Sequence, residues 1–74
     1  MMRVLLTNKE NKTLIVSKIL EFEYVQDEKG IVITGEVDDF TIQNVEEQDF
    51  NVFAKQLFSK GMADLSRYEA EIVE

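Results

Sequence analysis

The chain has 74 residues, with 15 Asp or Glu against 8 Lys or Arg and a formal charge of −7. It contains no Cys and no His, which excludes disulfides, Cys/His zinc sites and haem held through a histidine. A surface of this sign repels phosphate backbones and anionic lipid, so neither direct nucleic-acid binding nor membrane binding is expected.

The length implies a single small domain, residues 1–74, burying about 60–65% of the surface its unfolded chain exposes. With no staple available, the apolar residues, 45% of the chain, must supply the core alone. No run approaches the roughly 18 apolar residues of a membrane span. The opening MMRVLL is too short an apolar run before Thr7-Asn8-Lys9-Glu10 for a secretory signal. A cytoplasmic location is the expectation.

Residues 2–7 read as a short strand with Met2, Val4 and Leu6 on one face. Residues 8–12, a polar cluster, reverse the chain. A second strand runs from Thr13 toward Val25, and its later half alternates Leu20, Phe22 and Tyr24 with Glu21 and Glu23. Leu14-Ile15-Val16 is apolar on both faces and Lys18 falls out of phase with Leu20, which predicts a bulge or bend near Ser17. Residues 26–30 form a hairpin turn in which Gly30 is expected to take the positive φ. Ile31, Ile33, Gly35 and Val37 share one face of the returning strand, with Gly35 expected where a bulky partner or the helix passes close. Phe40 and Ile42 make a brief fourth strand.

The stretch from Asn44 to Met62 has a helical period with start and stop signals. Phe50, Phe53, Ala54, Leu57 and Phe58 fall at i, i+3, i+4, i+7 and i+8, an apolar stripe expected to carry the core. Asn44 and Glu47 have the spacing of a capping box. Glu46, Glu47 and Asp49 sit in the positive first turn, with Lys55 and Lys60 toward the negative end. Gly61 is placed as the left-handed residue that ends the helix, with Met62 folding back on Leu57. Beyond it, Asp64 can cap a single turn at Leu65-Ser66. Tyr68, Ala70 and Ile72 alternate with Glu69, Glu71 and Val73, the pattern of a final strand or a fraying tail. The expected fold is α+β: an antiparallel β-meander of four or five strands with one amphipathic helix, about residues 45–60, packed on one face.

Little in the chain points to chemistry. Ser17, Ser59 and Ser66 have no histidine to activate them, and three isolated glycines make no phosphate loop. Asp27-Glu28-Lys29-Gly30 lacks the alternating carboxylates of a calcium loop, and strand pleating points Asp38 and Asp39 to opposite faces. The expectation is a protein that is not an enzyme and holds neither metal nor cofactor.

One distribution stands out. From Gly30 to Ala54 there is no basic residue, yet Glu36, Asp38, Asp39, Glu46, Glu47 and Asp49 all fall in that window. These six are the candidate partner contacts. Two clusters about 13 Å apart, at strand spacing, lie on the scale of phosphates across a duplex groove. That allows two readings, a solubilising acidic surface or a nucleic-acid mimic that occupies a basic site on a nucleic-acid-handling or defence protein. Unused apolar residues, Ile15, Val52 and Val73, leave a homodimer open.

The segment KGMADLSRYE, following an apolar helix and an acidic β-hairpin, resembles the tails of small uncharacterised proteins of phages and mobile elements of Gram-positive bacteria. The resemblance covers about ten residues and the β-β-α plan, and it carries over no site residue. It implies a bacterial cytoplasmic setting and a phage or plasmid gene, where small acidic proteins sometimes inhibit host enzymes. The combined expectation is a non-enzymatic protein-binding accessory module with an unidentified, basic protein partner.

Overall fold

A computed structural model describes residues 2–73 and contains six strands and one helix. The strands are β1 (Arg3–Thr7), β2 (Thr13–Ser17), β3 (Ile19–Val25), β4 (Gly30–Gly35), β5 (Asp39–Gln43) and β6 (Met62–Val73). The helix, α1 (Glu47–Lys60), connects β5 to β6. All six strands form one sheet in the order β2-β1-β6-β5-β4-β3. The α+β class and the lone helix are as expected from the sequence, while the strand number and the all-antiparallel meander are not.

Two features account for the difference. The expected long strand from Thr13 to Val25 splits at Lys18, which adopts φ 58, so that β2 pairs with β1 and β3 pairs with β4. The bend predicted near Ser17 is therefore real and sharp enough to send one strand to both ends of the sheet. The terminal strands are thereby joined at a corner, and the sheet curls toward an incomplete ring. Secondly, the tail, expected as a strand over residues 68–73 or as a fraying end, belongs to the longer strand β6, which begins at Met62. It enters between β1 and β5, parallel to β1 (Val4 beside Ala63) and antiparallel to β5 (Ile42 beside Ala70). Two edges that a meander would leave open are thus paired, and Ala63, Leu65 and Ala70 are buried.

To serve both neighbours β6 must bend. Leu5 and Thr7 of β1 stand opposite Asp64 and Glu69 of β6, so the extra residues of β6 bulge out. The Asp64 carboxylate accepts from the Ser66 N–H at 3.0 Å and from the Ser66 hydroxyl at 2.6 Å, and Thr7 Oγ1 donates to the Ser66 carbonyl at 2.6 Å. The single helical turn expected after Asp64 is instead this bulge. The Ser66 hydroxyl and N–H hold the Asp64 carboxyl below its usual range.

The core lines the inner face of the curled sheet: Val4 and Leu6 of β1, Ile31 and Ile33 of β4, Phe40 and Ile42 of β5, with Ala63, Leu65 and Ala70 of β6. Phe53 and Leu57 of α1 pack into it. The faces expected from alternation hold for Val4 with Leu6 and for Ile31 with Ile33, whereas Met2, grouped with Val4 and Leu6, lies before β1 and is exposed. Val37 did not follow: β4 ends at Gly35, and Val37 is 90% exposed in the turn to β5. What passes close to Gly35 is that turn, not the helix, with the Gly35 N–H donating to the Asp38 carbonyl at 3.0 Å.

The loop before β4 also departs from expectation. Residues 26–28 form a 3-10 turn, and Lys29 rather than Gly30 takes the left-handed conformation, with φ 47. Gly30 is needed for a different reason, since a Cβ there would lie 3.0 Å from the Ile42 carbonyl of the neighbouring strand.

Candidate functional site

The helix begins later than the capping-box spacing suggests. Asn44 is spent on a left-handed turn with φ 62, and Val45 is fully buried with its N–H donating to the Lys29 carbonyl at 2.9 Å. Glu46 becomes the residue that starts α1, through its carbonyl rather than its side chain, accepting from the Asp49 and Phe50 N–H groups. At the far end Gly61 takes φ 74 and its N–H donates to the Leu57 carbonyl, the left-handed stop expected there.

Between these ends α1 runs alongside β3. Phe50 stacks on Phe22 with ring centroids 5.1 Å apart and lies tilted against Tyr24 at 5.4 Å. The Tyr24 hydroxyl donates to the Val45 carbonyl at 2.7 Å, tying β3 to the entry of the helix. On the other flank Phe53 meets Tyr68 of β6 edge-on at 5.8 Å, and Arg67 lies over both rings.

Burial, then the Glu46 and Glu47 charges, raise the Tyr24 pKa above its ordinary 10.0. A raised folded value means that the stabilisation by the neutral phenol is complete below pH 10 and lost as pH rises through the folded pKa. Phenolate formation followed by ultraviolet absorbance is expected to show Tyr24 ionising above 10, together with loss of the Phe22–Phe50 stack. Ionisation at the ordinary value with structure intact would contradict the packing of this seam.

The helical stripe is not uniformly buried. Phe53 and Leu57 are core, Phe50 and Ala54 are partly covered, and Phe58 is 81% exposed. Phe58 is thus corrected from core residue to surface residue. At about 100° per residue the five stripe positions span about 140° of the helix, more than one contact face covers, and Phe58 lies at the uncovered margin.

On β3, Ile19 and Glu21 stand opposite the adjacent residues Gly35 and Thr34, so Leu20 is an extra residue in a bulge and is 66% exposed. Leu20, Phe58 and Met2 stand around an open apolar groove of about 300 Å³, whose other lining residues include Ile19, Phe22, Phe50, Ala54 and Leu57. One carboxylate, Glu21, reaches its rim. In the sequence Phe58 and Leu20 are ordinary members of periodic patterns, which hides this surface. The width of the stripe was the available signal for Phe58, and the phase break near Lys18 was the signal for Leu20.

The six acidic candidates lie elsewhere and in two groups. Glu36 and Asp38 are in the β4–β5 turn, and Asp39 opens β5. Glu46, Glu47 and Asp49 surround the start of α1, beyond the other end of β5. Lysines from outside the window reach both groups, Lys18 to Glu36 at 3.4 Å and Lys29 to Glu46 at 4.0 Å. Both pairs are more than half exposed, so solvent screens them. Asp49 accepts from the Tyr68 hydroxyl at 3.4 Å. No arrangement among the described residues gathers three or more carboxylates as a metal site, and none of their helices is long and apolar enough to cross a membrane.

Comparison with protein-family models, with curated proteins and with solved structures finds no match to this chain. Its own geometry is what speaks to function.

Proposed function

We propose that this protein is a non-enzymatic accessory module, in a bacterial or phage setting, that receives an apolar segment of a partner protein in the groove between β3 and α1. The observation carrying the proposal is the pairing of Leu20 and Phe58, 66% and 81% exposed, on facing walls of one groove. Single exposed apolar residues are ordinary, but large ones flanking a concave apolar surface mark interaction sites.

Affinity capture of partners by the wild-type chain and by Phe58→Asp tests the reading. The variant is expected to lose the captured partner while keeping its melting temperature, because Phe58 contributes little to the core. Binding through the groove persists at about 0.5 M salt, where charges beyond a few Å are screened. The acidic-mimic reading makes the opposite forecast: binding collapses as salt rises and is abolished by Asp38→Lys with Glu46→Lys, leaving Phe58→Asp without effect. The lysines beside Glu36 and Glu46 dilute the negative field in both acidic groups, which favours the groove.

A further inference from the structure

The groove contacts Ile19, Leu20, Glu21 and Phe22, a run of consecutive residues of β3. Ile19 and Phe22 pair with Gly35 and Ile33 and share the inner face, Glu21 lies on the other face, and Leu20 is the bulged residue between them, so a groove that touches all four lies along the edge of the strand and not over one face. β3 ends the strand order and pairs only with β4. Its outer edge therefore presents backbone N–H and C=O groups without a strand partner. Glu21 and Glu23 are exposed on this strand, on the face opposite Phe22 and Tyr24. The ion pairs among the described residues engage Glu10, Glu36, Glu46 and Glu71, and none of them involves Glu21 or Glu23.

We infer that the partner segment received by the groove is extended, adds to β3 as a further strand, and alternates basic with apolar residues. This rests on the groove being the contact surface. Apolar side chains on the Phe22 face enter the groove against Ala54 and Phe58, while the intervening Lys or Arg residues stand opposite Glu21 and Glu23. The added strand satisfies the free backbone edge, the groove supplies apolar contact, and the two glutamates set the sign of the partner. A second copy of the chain fits this edge badly. Antiparallel pairing about Phe22 puts Glu21 of each copy against Glu23 of the other, between chains of charge −7 each. A docked helix would fill the apolar walls but leave the strand edge and both glutamates unused.

The probe is a synthetic peptide as long as β3 that alternates lysine with valine or leucine, titrated into the isotope-labelled full chain and followed by NMR. Binding is expected to shift and slow the exchange of amides in residues 20–24 and to shift residues 54 and 58. Glu21→Lys with Glu23→Lys weakens it by about tenfold. A peptide with glutamate in place of lysine, and one N-methylated on the edge that faces β3, are expected not to bind.

Equal binding of the N-methylated or the acidic peptide overturns the inference, as does loss of the signal on dilution of the free protein, which would mean self-pairing at β3. If no peptide binds while Phe58→Asp still abolishes partner capture, strand addition is wrong and the groove reading stands. If no peptide binds and Phe58→Asp changes nothing, both fall.

Discussion

Leu57→Ala is expected to cost about 2–5 kcal/mol, while Phe58→Ala one position along changes stability by about 0.5 kcal/mol or less. Leu57 is 2% exposed and packs into the core between β6 and β3, so truncation removes buried methyl groups and leaves a hole that the surrounding strands cannot close. Phe58 is 81% exposed, and its removal takes nothing out of the core. A chain of this length has a total stability of about 4–11 kcal/mol, so the Leu57 substitution takes a large fraction of it. Urea midpoints of the two variants check this. A barely shifted midpoint for Leu57→Ala, or an equal loss for Phe58→Ala, would contradict the placement of α1.

Gly35→Ala is expected to lower stability by about 1–3 kcal/mol, or roughly 5–20 °C in melting temperature. A Cβ at this position would lie 2.6 Å from the Asp38 carbonyl oxygen and 3.4 Å from Val16 Cγ1. The nearer atom belongs to the backbone and cannot rotate away, so the β4–β5 turn must open and strain the bond from the Gly35 N–H to that same carbonyl. Val16 belongs to β2, so the substitution presses on the corner where the curled sheet meets itself. An unchanged melting temperature would mean that turn and corner are looser than described.

The parts of this fold legible in the sequence were those governed by local pattern. Strand alternation groups Val4 with Leu6 and Ile31 with Ile33 on shared faces that the structure buries, and turn chemistry marks Gly61 as the helix stop, because period and turn chemistry act over a few residues. The bend before Ile19 was legible as a phase error. What the bend does was not, since joining opposite ends of a sheet depends on pairings between residues far apart in sequence. The parallel β1–β6 pair is of the same kind. Nothing in Met62–Val73 alone says that it lies between β1 and β5.

Local competition explains the misplaced caps. Asn44 is a good capping residue, but burying Val45 against the β3–β4 turn takes precedence and moves the start of α1 to Glu46. Lys29, not Gly30, takes the left-handed conformation, and Gly30 is needed instead for the close approach of the Ile42 carbonyl, which a Cβ would meet at 3.0 Å. The groove was hidden for a related reason. Phe58 satisfies helical periodicity as well as Leu57 does, and only the curvature of the sheet decides which of them is covered. The acidic window was visible in the sequence as composition, whereas the lysines that reach into it come from Lys18 and Lys29, outside its bounds.

The most direct test of the groove as contact surface compares two equally conspicuous exposed apolar positions. A photo-crosslinking residue is placed at position 58 in one chain and at position 37 in another, since Val37 is 90% exposed but lies in the β4–β5 turn away from α1. In bacterial lysate, position 58 is expected to give a discrete crosslinked partner, lost on adding Leu20→Asp, and position 37 none. Crosslinking at position 37 with none at position 58 would contradict the account.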